Sequence, residues 1–180
     1  MKGIVFTEFL EFVEQQYSPN IVDNIIDASN LSTDGAYTSV GTYDCEELLQ
    51  LVSALSKETQ TPSADLVCAF GQHLFKCLAT NYPQFIEGVN STFDFLQSIH
   101  GHIHVEVHKL YPDAELPSFK YTFPLENQMV MHYQSKRPLA DLAEGLIRGS
   151  IEYFGEKVVI QRENDLSDNT SARFILTRQT

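Results

Sequence analysis

The 180-residue sequence contains no tryptophan, only three cysteines and only twelve basic residues. Cys45, Cys68 and Cys77 are an odd number and form no C-x-x-C pair. This pattern argues against a disulfide framework and against a cysteine zinc site. We therefore expect three reduced thiols.

The shortage of basic residues gives the chain a strong negative charge. Twenty-four acidic residues outnumber the basic ones, and the formal net charge is -12. Such a charge repels phosphate backbones and anionic lipid surfaces, and no local basic patch compensates for it. We expect no nucleic acid and no membrane among the partners, which leaves proteins and small ligands.

No long uninterrupted apolar run is present. The N-terminal stretch 1–16 is rich in apolar residues, but Glu8, Glu11 and Glu14 interrupt it. A signal peptide or a membrane span would not tolerate these charges. We expect a cytoplasmic protein, and its 180 residues with 43% hydrophobic content suffice for a single domain with a sizeable core.

Apolar residues recur at helical spacing over most of the chain. The spacing predicts helices over 3–16, from 19 onwards, over 45–56, 63–81, 91–111 and 139–154. Asp44 and Ser91 are suitable N-caps for two of them. The stretch 30–41 is rich in turn residues and separates the second helix from the third.

The period changes after residue 117. Phe119, Tyr121 and Phe123 alternate with other residues, and 128–133 is a second extended run after a turn at 126–127. A second hairpin is predicted where 158–160 and 174–176 flank the polar turn 163–171. The expected fold class is α+β, with a helical N-terminal subdomain over about 1–62. A C-terminal subdomain over about 63–180 would hold about four antiparallel strands and the helix that carries the histidines.

Four of the six histidines lie close together in the predicted helix 91–111; they are His100, His102, His104 and His108. Three interpretations compete: partly exposed side chains, a divalent-metal site formed by His100, His104 and His108, and one imidazole bound to a haem iron. A metal site lacks an obvious carboxylate or cysteine nearby. At about 100° per residue, His100 lies within the apolar stripe and His104 at its border, so helical phase slightly favours His100.

Downstream, Tyr133, Ser135 and Arg137 stand two positions apart. On an extended strand such residues point to one face. A guanidinium and two hydroxyls could bind a pair of carboxylates such as the propionates of a haem. The alternative is a polar strand face that meets solvent.

The sequence resembles the haem nitric oxide/oxygen-binding (H-NOX) family, which includes the haem domain of soluble guanylate cyclase. The resemblance extends over nearly the whole chain. It rests on MKG at 1–3, GAYTSVGTYD at 35–44, FGQHLF at 70–75, the His104-x-x-Val107-x-x-Leu110-Tyr111-Pro112 motif, Tyr133-x-Ser135-x-Arg137, and GLI at 145–147.

The resemblance implies a ferrous haem b held between the two subdomains. It assigns His104, rather than His100, as the proximal iron ligand. It also implies that Tyr133, Ser135 and Arg137 bind the propionates and that Pro117 presses on the porphyrin. The remaining residues that it places in the haem pocket are Ile4, Leu74, Phe75 and Leu142.

Leu142 occupies the position at which oxygen-binding relatives carry a distal tyrosine. The resemblance therefore implies a sensor that binds nitric oxide, and also carbon monoxide, without stabilising oxygen. We identify no catalytic chemistry in the sequence and expect no enzyme activity, so the output would lie in another chain. The resemblance suggests a histidine kinase or a diguanylate cyclase or phosphodiesterase.

The alternatives are an oxygen- or redox-sensing haem protein, a haem-free interaction module, and a haem enzyme. An enzyme would need distal acid–base groups beside the iron. The only nearby candidate is His73, whose neighbours Leu74 and Phe75 suggest that it faces away.

Overall fold

A computed structural model describes residues 1–164 and 168–179. Helices form most of the first half: α1 Gly3–Gln16, α2 Pro19–Asp27, α3 Cys45–Thr59, α4 Ser63–Asn81 and α5 Thr92–Ser98. A π-helical turn at Ile99–Ile103 leads into α6 His104–Leu110. The second half contains β1 Ser118–Leu125, β2 Gln128–Gln134, α7 Ala140–Phe154, β3 Val158–Asn164 and β4 Ser171–Arg178.

Side-chain caps fix where three of the helices begin. The Ser18 hydroxyl accepts a hydrogen bond from the amide of Ile21, and Asp44 accepts one from Glu46 at 3.0 Å. Ser91 accepts one from the amide of Asp94 at 3.2 Å. Each cap satisfies an amide that has no partner within its helix. The caps predicted at Asp44 and Ser91 are confirmed.

The four strands form one antiparallel sheet in the order β1-β2-β4-β3. Two hairpins therefore lie side by side, with β2 and β4 in the centre. Tyr133 of β2 lies opposite Phe119 of β1 and Ala172 of β4. The α+β fold with four antiparallel strands is confirmed, although residues 165–167 of the predicted turn 163–171 lie outside the described residues.

Two apolar clusters make up the core. The first joins α1 to α4 and includes the fully buried Phe6, Phe9 and Leu51. The second lies between the sheet, α5 and α7 and includes Met131 and Phe174. Helix α4 begins just after residue 62 and packs into the first cluster along one side.

Glycines allow α4 and α7 to pack closely. A Cβ atom on Gly71 would lie 2.8 Å from the Cα of Gly145, and one on Gly145 would lie 2.1 Å from the carbonyl oxygen of Cys68. Only residues without a side chain permit so short a distance between two helices. This crossing joins the helical half of the molecule to the half that contains the sheet.

One predicted helix differs from the structure. The spacing predicted an unbroken helix over 91–111, but a π-helical turn interrupts it at Ile99–Ile103. A π turn forms i to i+5 hydrogen bonds and so accommodates an extra residue.

Candidate functional site

A cavity of about 800 Å³ lies between the helical half and the sheet. Residues from α1, α3, α4, the α5–α6 segment, β2 and α7 line it. All nine residues predicted for the haem pocket are among them: Ile4, Leu74, Phe75, His104, Pro117, Tyr133, Ser135, Arg137 and Leu142. The fold thus gathers at one cavity residues that are up to 138 positions apart in the chain.

His104 is the first residue of α6 and lies at the wall of this cavity. Its ring packs against Phe119, with 5.8 Å between the ring centroids. Burial, with a smaller effect of His100 and His108, lowers the pKa of His104 to about 4. At neutral pH the imidazole is therefore uncharged and keeps a lone pair for a metal ion.

The other histidines of the run have different positions. His100, His102 and His108 are exposed, and the rings of His100 and His104 are 6.5 Å apart. The structure thus places His104, and not the His100 that helical phase favoured, beside the cavity. The π turn explains the difference, because it rotates α6 relative to α5.

Tyr133, Ser135 and Arg137 all reach the cavity, but they do not share one strand. β2 ends at Gln134, and the Ser135 hydroxyl accepts a hydrogen bond from the amide of Arg137 at 3.0 Å. This local bond turns the chain ahead of Pro138, where a strand would lose a ladder donor. The prediction of a single strand face is therefore wrong, although the three side chains do converge.

The guanidinium of Arg137 binds Glu115 at the edge of the cavity. It donates to the backbone oxygen of Glu115 at 2.7 Å and to the carboxylate at 2.8 Å. Burial raises the pKa of Tyr133, so the phenol stays protonated and can donate. The site therefore offers a planar fork and hydroxyl groups suited to carboxylates.

Three helices contribute only apolar side chains to the cavity. Those from α1 and α4 are Ile4, Val5, Leu74, Phe75, Leu78 and Ala79. Those from α7 are Leu142, Ala143, Leu146 and Ile147. None of these described side chains can donate a hydrogen bond to a ligand.

Some lining residues were not singled out from the sequence. Cys45, the first residue of α3, lines the cavity, and burial raises the pKa of its thiol. Its position directly after the GAYTSVGTYD motif was the available clue. Phe95 and Met131 also line the wall, and apolar periodicity alone does not distinguish a cavity wall from packed core.

The chemistry of the lining fits a haem. A flat apolar macrocycle with two carboxylates at one edge requires apolar walls, a group of cationic and hydroxyl donors, and one neutral imidazole for the iron. The cavity provides each of these through Leu142 and its neighbours, through Arg137 with Ser135, and through His104.

A family model described as Haem-NO-binding matches residues 2–162. The chain belongs to the H-NOX family. H-NOX structures share its fold: one from K. algicida is 39% identical with a TM-score of 0.95, and covers 100% of this chain and 97% of its own. One from Shewanella woodyi, in the Fe(II)CO ligation state, is 43% identical with a TM-score of 0.84, at 99% and 95% coverage.

Two animal proteins are more distant relatives of this H-NOX chain. Soluble guanylate cyclase 89Da of Drosophila melanogaster is 28% identical over 188 residues, which is 98% of this chain and 27% of that protein. Soluble guanylate cyclase gcy-35 of Caenorhabditis elegans is 23% identical, over 82% of this chain and 22% of that protein. The chain thus spans about a quarter of the length of these curated relatives.

The family consists of haem-binding gas-sensor domains. The described part of this H-NOX chain contains no helix long and apolar enough to span a bilayer. Among its described α4 residues, Leu74, Phe75, Leu78 and Ala79 line the cavity, whereas His73 lies outside it. An acid–base role beside the cavity therefore finds no support from His73.

Proposed function

We propose that this H-NOX chain is a nitric oxide sensor that holds ferrous haem b and regulates a separate signalling protein. A single observation carries the proposal: His104, Arg137 and Leu142 line the same cavity. Residues 1–62 would form the distal subdomain and residues 63–180 the proximal one, with the haem between them.

The roles of the residues follow from their chemistry. The uncharged imidazole of His104 would ligate the iron, and Tyr133, Ser135 and Arg137 would bind the propionates. Arg137 already holds a carboxylate, that of Glu115, at 2.8 Å. Pro117 lines the same cavity and would press on the ring.

Gas selectivity would come from the apolar wall. A haem held by His104 would supply an iron that can bind a diatomic gas. Oxygen would need a hydrogen-bond donor from the pocket, whereas nitric oxide would bind strongly without one. The side chains that α1, α4 and α7 contribute offer no donor. By the family resemblance, Leu142 also stands where oxygen-binding relatives carry a tyrosine.

Absorption spectra of the purified haem-loaded chain test this selectivity. The ferrous protein would be recorded without gas and then with air, carbon monoxide or nitric oxide. We expect stable spectral changes with carbon monoxide and nitric oxide, and none with air. A stable change in air would show that a donor acts in the pocket and would refute selectivity for nitric oxide.

The output would lie outside this H-NOX chain. The chain matches only about a quarter of each soluble guanylate cyclase, which supports a sensor unit that acts on another protein or domain. We propose a cytoplasmic histidine kinase or a diguanylate cyclase or phosphodiesterase as the partner. Helix α6 carries His104 and packs mainly on the π turn before it. We therefore propose that α6 moves when a gas binds and that the partner detects this movement.

A partner assay tests the regulatory part of the proposal. The activity of the candidate partner would be measured with the ferrous, carbon monoxide-treated and nitric oxide-treated sensor. Nitric oxide should alter the activity and carbon monoxide should have little effect. Equal effects of the two gases, or no effect of either, would refute nitric oxide-specific regulation by this chain.

A further inference from the structure

Three potential metal ligands meet outside the haem cavity, where α1 packs against α4. Glu8 comes from α1, and His73 and Cys77 are four residues apart on α4, so they share one face of that helix. Their ligand atoms all lie within 4.8 Å of one another. The described residues form no other such set of three.

The distances suit a small tetrahedral ion. The Cys77 sulfur lies 3.3 Å from Nε2 of His73, and that nitrogen lies 3.9 Å from a carboxylate oxygen of Glu8. Zinc binds sulfur at about 2.3 Å and nitrogen or oxygen at about 2.0–2.2 Å, so two ligands in a tetrahedron lie roughly 3.5 Å apart. Two of the separations are within about 0.5 Å of this value, and the third, between the Cys77 sulfur and the Glu8 carboxylate, would shorten by at most about 1.3 Å to bring the three atoms onto one ion.

The surroundings hold the ligands in place. The ring of His73 packs against Phe12, with 5.4 Å between centroids, and the side chains of His73 and Glu8 are only 18% and 14% exposed. Cys77 is a free thiol and is half-buried beside them.

We propose that Glu8, His73 and Cys77 form a binding site for a zinc-class divalent cation, with a fourth position open to water. The mixture of sulfur, nitrogen and oxygen ligands favours zinc over calcium or magnesium, which prefer oxygen alone. Binding forms a metal–sulfur bond and releases the Cys77 proton to solvent. The ion would connect α1 to α4, the two helices that contribute Ile4 and Leu74 to the cavity wall.

The site does not depend on the proposed gas-sensing function, and its test measures metal rather than signalling. The haem-loaded chain would be stripped with a chelator, titrated with zinc against a chromophoric competitor, and analysed for zinc per chain by mass spectrometry. Variants Cys77→Ser, His73→Gln and Glu8→Gln each remove one ligand. Cys68→Ser removes a thiol of the same helix that lies away from the cluster, and is the matched control.

We expect one tightly bound zinc per chain in the unmodified protein and in Cys68→Ser. Each ligand variant should weaken binding by more than about 100-fold, beyond the roughly 10–100-fold effect of changes around a metal site. Zinc should also raise the thermal midpoint of the unmodified chain and of Cys68→Ser, but not of Cys77→Ser. Haem absorbance of each variant verifies that it is folded.

The double variant His100→Gln/His108→Gln removes two exposed histidines. It tests whether zinc binds to them or to the cluster of Glu8, His73 and Cys77. It should keep the bound zinc if the cluster is the site. Loss of zinc in this double variant, equal affinity in Cys77→Ser and Cys68→Ser, or no zinc uptake at all would overturn the proposal. The three side chains would then form only a hydrogen-bonded contact between two helices.

Discussion

Arg137 binds a carboxylate of its own chain at the edge of the cavity. Its contacts to Glu115, at 2.7 Å and 2.8 Å, use two of its five donors. Lys136 also contacts that carboxylate, at 3.1 Å. A haem propionate would bind the same guanidinium donors. It would therefore compete with Glu115 for Arg137.

We predict that Arg137→Ala loses haem faster than the unmodified protein. A hydrogen bond to a charged group is typically worth about 1.5–3 kcal/mol, which corresponds to roughly a 10- to 150-fold change in affinity. Transfer of haem to apomyoglobin measures the rate. Arg173→Ala removes an arginine that pairs with Glu163 far from the cavity and should have no effect. If Arg137→Ala and Arg173→Ala lose haem at the same rate, Arg137 does not bind the haem.

Glu47 is a second residue with an unusual environment, because its side chain is charged and the residue is only 4% exposed. Its oxygens accept hydrogen bonds from Thr33 at 2.6 Å, from Tyr37 at 2.7 Å and from Ser32. Burial by itself raises the pKa of Glu47, but these hydrogen bonds outweigh burial and hold the pKa below its usual value. Glu47 thereby ties the loop before α3, which lacks regular structure, to the helix.

We predict that Glu47→Gln lowers the free energy of unfolding at neutral pH by about 1–3 kcal/mol, because buried donors lose a charged acceptor. As the pH falls, Glu47 is protonated at a higher pH in the unfolded chain than in the folded chain. The stability from this carboxylate is therefore complete above the usual glutamate pKa and declines as the pH falls through the folded pKa. Urea unfolding of both proteins at several pH values should show the difference shrinking below about pH 4.

The control for this measurement is Glu46→Gln, which changes an exposed neighbour on the same helix. Surface changes of this kind usually alter stability by no more than about 0.5 kcal/mol. If the difference in unfolding free energy between the unmodified protein and Glu47→Gln stays constant down to acid pH, the pKa of Glu47 in the folded protein is not lowered as described.

At the scale of elements, the π turn decides which histidine meets the cavity. The lining residues of this segment include five that are each four positions apart: Phe95, Ile99, Ile103, Val107 and Tyr111. Four residues of an α-helix overshoot one turn by about 40°, so four such steps drift by about 160°. The extra residue in the wider turn at Ile99–Ile103 offsets about 100° of this drift and keeps His104 at the cavity.

We predict that deleting Gly101 turns the segment into ordinary α-helix, rotates His104 away from the cavity and lowers the haem content per chain. Gly101→Ala is the matched control, since a Cβ atom there would meet nothing within 4 Å. Haem absorbance per chain after reconstitution compares the two proteins. Full haem content in the deletion variant would show that the π turn does not orient His104.

Most elements could be predicted from the sequence, because periodicity, caps and turn residues are local. The caps at Asp44 and Ser91 and both hairpins are examples. The π turn could not, because an extra residue within a helix leaves the apolar pattern almost unchanged. The position of Ser135 and Arg137 outside β2 was also missed, since the bond between them depends on side-chain geometry.

At the scale of the whole molecule, the crossing of α4 and α7 fixes the two halves against each other. Gly71 and Gly145 face each other there, and Gly149 meets Phe75. The same two helices contribute Leu74 and Leu142 to the cavity. The spacing of the crossing therefore sets the width of the pocket. Sequence periodicity identifies both helices but does not show that they meet at glycines.

We predict that Gly145→Ala lowers the thermal midpoint by roughly 2–10 °C, since overpacking typically costs about 1–3 kcal/mol. The added Cβ would lie 2.1 Å from the carbonyl oxygen of Cys68, so the helices must separate. Calorimetry measures the change. Gly101→Ala, which adds the same atom in open space, should not lower the midpoint. Equal midpoints for both variants would show that the crossing tolerates separation.

We predict that this H-NOX chain holds haem through His104, and the haem absorbance per chain of His104→Gly and His100→Gly decides between the two histidines. Because His104 would supply the only protein bond to the iron, His104→Gly should lose the haem or hold it only with added imidazole. His100→Gly, which changes an exposed histidine one turn away, should keep the full haem content. Loss of haem in His100→Gly with retention in His104→Gly would contradict the claim.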